Sequence, residues 1–245
     1  MQVMSCYVVG DIHGCLAEVR YLIEQLSLQR GDRLVFLGDY IDRGPDSQGV
    51  VSYLLKLRDE ANVDTVFLKG NHEDMFLHYL GFPGNHGDVF LNNGGHATLA
   101  SYGITAPSFA GAKVAEQLPQ GHLHFYKNLE TFCVVESYLC VHAGIQPLKK
   151  LEEQTAAEMY WIRGEFIRHP HNLPFTVLFG HTPQKEVLFD LPYKIGLDTG
   201  LVYGNKLSCL AIEEKVLYQI NRGTKAVQQI SVLENWSKKS KFRAP

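Results

Sequence analysis

The sequence has no apolar run long enough to span a bilayer, which argues against a transmembrane helix. Cysteine is scarce: Cys6, Cys15, Cys133, Cys140 and Cys209 are odd in number, widely spaced and form no CxxC pair. That pattern argues against a disulfide framework or a thiolate zinc site and fits a reducing compartment. The first ten residues hold neither a basic segment nor a small-residue cleavage site, so no signal peptide is expected. There is no internal repeat, low-complexity stretch or Pro/Gly-rich linker. There is also no excess of positive charge: the net charge is -3. Without a basic field, neither nucleic acid nor a membrane surface is an expected partner, and a cytoplasmic location is expected.

The chain has 245 residues, 45% of them hydrophobic and 20% charged, which is a globular composition. Residues 1–235 are expected to form one domain. Residues 236–245 form a basic tail with Lys238, Lys239, Lys241 and Arg243. Short apolar strands alternate with helical patterns. Residues 7–9 precede Leu16, Val19, Leu22, Ile23 and Leu26 at helical spacing. Residues 33–37 precede a helix with Val50, Val51, Leu54 and Leu57 on its inner face. Residues 65–68 precede a helical pattern through Tyr79. Three strand–loop–helix units predict an α/β fold with parallel strands whose C-terminal ends share one edge. Residues 81–128, rich in Gly, His, Asn and Pro, read as a lid-like excursion with short helices. Later strands are expected at 132–135, 138–141, 177–179, 195–197, 207–212 and 216–220, the last two joined as a hairpin.

The chemistry sits at the strand ends. Asp11, His13, Asp39, Asn71, His142 and His181 each follow an apolar strand and lie near glycine. An Asp or Asn in such a place also serves as a turn former or helix cap. Six together, aimed at one edge, make a better metal site. Mixed imidazole and carboxylate suits Mn, Fe or Zn, whereas Ca or Mg favours oxygen alone. Six side chains exceed what one tetrahedral ion takes, and one carboxylate bridging two ions resolves the count.

Gly10-Asp11-Ile12-His13-Gly14, Gly38-Asp39-Tyr40-Ile41-Asp42-Arg43-Gly44 and Gly70-Asn71-His72-Glu73 resemble the three signature blocks of the phosphoprotein phosphatases, a branch of the calcineurin-like metallophosphoesterases. His142 and His181 match two later histidines of that family. The resemblance implies a four-layer α/β/β/α sandwich of two mixed sheets. It implies two divalent metal ions, with Mn expected and Fe or Zn as alternatives. Asp11 and His13 would hold one ion, Asn71, His142 and His181 the other, and Asp39 would bridge. It also implies that His72 and Asp42 form a proton-donating pair, that Arg43 clamps phosphate, and that Arg163 in Trp161-Ile162-Arg163-Gly164 is a second clamp. An exposed ion pair is the plainer account of Arg163. Asp198 and Tyr203 read as pocket-lining or turn residues. His86 and His96 could reach a substrate from the excursion. Cys15, beside Gly14, lies near the blocks but outside any phosphatase cysteine motif.

The expected activity is that of a serine/threonine or dual-specificity protein phosphatase, acting on phosphorylated protein or peptide through a metal-activated water. No obligate regulatory subunit is indicated. The rival enzyme reading is a symmetric diadenosine tetraphosphatase. A non-catalytic metal-binding scaffold is a third; it predicts the loss of a ligand or of the His72–Asp42 pair, and the sequence shows neither loss.

Overall fold

The computed structural model describes residues 4–60, 62–105 and 111–238. The three units recognised in the sequence are β1 (Cys6–Val9) with α1 (Leu16–Glu24), β2 (Arg33–Phe36) with α2 (Ser47–Glu60), and β3 (Asp64–Phe67) with α3 (Asn71–Tyr79). Next come α4 (Gly95–Ser101), α5 (Gly111–Ala115) and α6 (Gln120–Lys127). A hairpin of β4 (Phe132–Val135) and β5 (Tyr138–Val141) leads to α7 (Ala156–Trp161) and α8 (Gly164–Arg168). The remaining strands are β6 (Thr176–Phe179), β7 (Leu188–Asp190), β8 (Lys194–Gly196), β9 (Lys206–Ala211), β10 (Val216–Asn221) and β11 (Val227–Ser231).

Two mixed sheets result. One has the order β11-β10-β9-β1-β2-β3, with β1, β2 and β3 parallel and β9 antiparallel to β1. The other has the order β4-β5-β6-β8-β7, with β5, β6 and β8 parallel. Strand alternation explains the layers. On β1, Tyr7 and Val9 face the helices, while Cys6 and Val8 face the second sheet. On β6, Leu178 faces the first sheet, while Val177 and Phe179 pack towards α7 and α8. The strands read as continuous apolar runs because both faces are covered. Helices, two sheets and helices form the four-layer sandwich that the family resemblance implied. Among the described residues, no helix is long and apolar enough to cross a membrane.

The excursion at 81–128 is irregular, as expected, but part of it is core. Buried Phe125 on α6 stands edge-on to Tyr40 at 5.4 Å, and Tyr126 to Phe76 at 5.2 Å. Trp236, assigned to the tail, packs on Phe189 at 5.8 Å beneath the Lys215 ammonium at 4.6 Å. Lys239, Lys241 and Arg243 of the basic tail lie outside the described residues.

The layers make a stability contrast. Leu178→Ala opens a cavity between the sheets and should cost about 2–5 kcal/mol. For a chain of this size that lowers the melting temperature by roughly 2–4 °C per kcal/mol. Leu148→Ala, at a side chain 87% exposed, should leave the melt unchanged. Equal melts for the two variants would refute this placement of the core.

Candidate metal centre and its supports

The loops after β1, β2, β3, β5 and β6 bring the predicted residues together at one edge, where the two sheets meet. Their backbone is unusual. His13 (φ 45°), Asp39 (53°), Asp42 (71°), Arg43 (68°) and His181 (64°) all adopt the left-handed region. Such conformations cost of order 1–3 kcal/mol each and persist where surrounding contacts dictate them. Gly38, at φ 102°, lets two loops touch: a Cβ there would lie 2.6 Å from the Gly70 nitrogen.

Asp39 is the hub. One of its oxygens is 3.4 Å from His13 Nε2 and the other 3.4 Å from His142 Nε2. Asn71 Oδ1 lies 3.1 Å from His142 Nε2 and 2.7 Å from His181 Nδ1. Donor atoms of His13, Asp39 and His72 fall within 4.8 Å of one another, as do those of Asp39, His142 and His181. Asp39 belongs to both groups, the position expected of a bridging carboxylate. Asp11 stands alongside them, accepting the His181 N–H at 3.0 Å, and it belongs to neither group.

The donor chemistry calls for cations. His13 Nδ1 donates to the Ile41 carbonyl at 2.7 Å, and His142 Nδ1 to the Leu37 carbonyl at 2.8 Å. Burial pushes the His13 imidazole down to about 3 and lowers that of His142. Both rings are therefore neutral, with Nε2 lone pairs turned towards the oxygens of Asp39. Arg43 Nη1 donates to the His13 lone pair at 2.7 Å. Burial, then Asp198 and Asp39, hold the Asp11 carboxyl well above its usual range; burial, then Asp39, push Asp198 up to about 6. Lone pairs facing carboxylates that repel one another fit divalent ions bound among them.

His72 and Asp42 meet beside this cluster, with His72 Nδ1 2.6 Å from Asp42 Oδ2 and both side chains buried. The His72 ring stands edge-on to His13, with centroids 4.7 Å apart. Arg43 also lies over the Tyr203 ring at 5.5 Å, and Tyr203 is exposed. Arg163 Nη1 donates to the His181 carbonyl at 2.9 Å, so it sits at the site rather than in a surface ion pair. Asp198 serves as a turn residue as well, accepting the Gly200 N–H at 2.9 Å. His86 stands edge-on to Trp161 at 4.7 Å. The Cys15 thiol is buried and pushed up to about 12 by that burial, which does not suit a nucleophile.

Sequence reasoning missed Glu73. Its carboxylate accepts the N–H groups of Asp39 (2.9 Å), Tyr40 (2.8 Å), Ile41 (3.4 Å) and Gly70 (2.9 Å). One side chain thereby ties the loop after β2 to the entrance of α3. The signal available was an acid three residues after the helix entrance, the capping-box position. An amide is isosteric but turns an NH2 group towards N–H donors. Leaving one or two of them unsatisfied costs about 1–3 kcal/mol each. Glu73→Gln should lower the melting temperature and weaken Mn binding measured by equilibrium dialysis. An unchanged melt with full Mn occupancy would remove Glu73 from this supporting role.

The chain resembles known proteins in sequence and in fold. The bis(5'-nucleosyl)-tetraphosphatase PrpE [asymmetrical] of Oceanobacillus iheyensis is 28% identical, covering 86% of this chain and 90% of its own. The protein of that name from Anoxybacillus flavithermus is 25% identical, covering 84% and 90%. In fold, the chain matches a protein assigned as a diadenosine tetraphosphatase with TM-score 0.67 and 24% identity, over 89% of this chain and 94% of that one. It also matches the cold-active protein-tyrosine phosphatase of a Shewanella species with TM-score 0.57 and 18% identity, over 93% and 80%. The sequence model of the calcineurin-like phosphoesterases matches residues 4–200, and the chain belongs to that family.

Proposed function

We propose that the chain is a metal-dependent phosphomonoesterase, acting on phosphoserine and phosphothreonine in protein or peptide, with phosphotyrosine as a further substrate. The observation that carries this reading is the buried His72–Asp42 pair beside the metal groups. An alkoxide leaving from phosphorus is strongly basic and needs a proton as the bond breaks. A nucleotide leaving from a phosphoanhydride is stable as its anion. A held imidazole is therefore useful for the first and dispensable for the second.

Asp11, His13 and Asp39 would hold one divalent ion, and Asp39, Asn71, His142 and His181 the other, with Mn the first choice. Such a pair supplies a water deprotonated at neutral pH and neutralises phosphoryl charge. The chain's own groups do the rest. Arg43 and Arg163 present guanidinium N–H donors to the phosphoryl oxygens, a geometry suited to phosphate. Asp42 engages Nδ1 of His72, which leaves Nε2–H to give its proton to the departing oxygen. The five unpaired cysteines suit the cytoplasm, where we place the protein.

The relatives' names favour a second reading, hydrolysis of dinucleoside tetraphosphates. Release from a phosphoserine peptide and from diadenosine tetraphosphate, compared on one preparation, separates the two. The first reading expects the peptide to be preferred in kcat/KM. A strong preference for the tetraphosphate would replace it with the second.

Metal dependence is a separate test. Exhaustive chelation should abolish turnover, and Mn should restore it better than Ca. Full activity in protein verified free of metal would end the metal-dependent reading.

The proton donor gives a third test. A positioned acid contributes about 10²–10⁴-fold. His72→Asn should cut turnover of a phosphoserine peptide by that order and that of p-nitrophenyl phosphate far less, with metal content unchanged. Equal losses on both substrates would make His72 a binding or structural residue.

A further inference from the structure

Two hydroxyls hold Asp42, and neither belongs to a signature block. While Oδ2 of Asp42 faces His72, Oδ1 accepts the Thr98 hydroxyl at 2.5 Å. The Asp42 N–H is shared between Thr98 Oγ1 at 2.8 Å and Ser47 Oγ at 3.1 Å. The two hydroxyls are 3.0 Å apart. Because the Thr98 proton goes to Asp42, the Ser47 proton is free to go to Thr98, and the chain of donors runs Ser47, Thr98, Asp42. All three side chains are fully buried, so these contacts meet no competition from water. The Asp42 backbone is left-handed, and the shared N–H is one of the contacts that keep it there.

Thr98 lies on α4, in the excursion that the sequence marked as a lid. The entrance of that helix grips the next residue of the same loop. The Gly94 carbonyl accepts the Arg43 N–H at 3.2 Å. At φ 104°, a Cβ on Gly94 would lie 2.7 Å from the Arg43 nitrogen. Residues 94–98 thus clasp the loop after β2 at Asp42 and Arg43 together.

We propose that Thr98 is a positioning residue for proton transfer to the leaving group, fixing the Asp42 carboxylate against His72 through Oδ1 and the backbone N–H. The inference rests on His72 as the proton donor. Without the Thr98 hydroxyl, Asp42 loses the contact that fixes its rotation, and the imidazole loses its aim. A general packing role for Thr98 would affect all substrates alike; a positioning role follows the basicity of the leaving group.

The test compares Thr98→Val, Thr98→Ser and His72→Asn in the Mn-loaded protein, on β-glycerophosphate and p-nitrophenyl phosphate. Losing a hydrogen bond to a charged group should slow kcat for the alkyl ester about 10–100-fold in Thr98→Val. The aryl ester should change far less, KM should hold for both, and Thr98→Ser should restore most of the alkyl rate. A second readout needs no turnover and uses the protein loaded with diamagnetic Zn. The low-field proton resonance of His72 Nδ1–H, assigned by its loss in His72→Asn, should shift or broaden in Thr98→Val and return in Thr98→Ser. If His72→Asn discriminates between the esters while Thr98→Val slows both equally, the proposal fails and the proton donor stands. If His72→Asn slows both equally, the proton donor falls, and the proposal with it. An unshifted resonance in folded Thr98→Val overturns the proposal whatever the rates.

Discussion

Two imidazole lone pairs and an amide oxygen converge near the carboxylate of Asp39, and the surrounding structure is arranged to keep them so. The lone pairs face inward because each Nδ1 proton is spent on a backbone carbonyl, Ile41 for His13 and Leu37 for His142. Both carbonyls belong to the segment that leaves β2. His142 comes from the second sheet, so its bond to Leu37 crosses the seam between the sheets. The site is thus part of how the two sheets are joined. Electron pairs at these separations repel unless positive charge lies among them. The arrangement is least favourable for the chain alone and most favourable with cations bound. Stability should be linked to metal for that reason.

The loops need holding as well as filling. Left-handed backbone at Asp39, Asp42 and Arg43 puts three strained residues within five positions. Glu73 answers at the first of these with its N–H acceptors, Thr98 and Ser47 at the second, and the Gly94 carbonyl at the third. Burial and the Asp39 charge raise the Glu73 carboxyl, and the N–H groups that both of its oxygens accept pull it back down. A buried carboxylate is a costly fastener. It persists here because several backbone N–H groups would otherwise lack acceptors inside the protein.

What could be read from the sequence was what is local. A strand, a glycine-rich turn and a helix together occupy fewer than 30 residues in each unit, and their periodicities are visible in any one unit. The ends of β1, β2 and β3 therefore appeared with their Asp, His and Asn side chains in place. Parallel pairing of the first three strands and the β9–β10 hairpin could be read locally, but distant pairing could not: β9 lies beside β1 through contacts some 200 residues apart, and no local pattern encodes that register. Two strands went unrecognised for different reasons. β11 is an exposed edge strand, and its Gln228 and Gln229 break the apolar alternation. β7 has three residues, too few for a period. Thr98 left no signal because a threonine in a short helix resembles any other; only the fold shows that it meets Asp42. The excursion looked irregular because its glycines serve close approach, and Phe125 and Tyr126 are core residues among polar neighbours.

The substrate question turns on the same economy of buried charge. The relatives carry names for phosphoanhydride hydrolysis. A site confined to that reaction gains little from an imidazole that donates a proton, since the departing nucleotide is stable as its anion. Folding gains little from it either. A fully buried His–Asp pair loses solvation that an apolar pair of similar volume would not, and it requires Thr98 and Ser47 to satisfy what remains. Burial pushes the Asp42 carboxyl up, against the pull of His72 and Thr98. On the proposed reading, a leaving oxygen that needs a proton accounts for a pair that is unfavourable for folding. That oxygen is then an ester oxygen on a side chain, whereas the second reading would place the bridging oxygen of a tetraphosphate there.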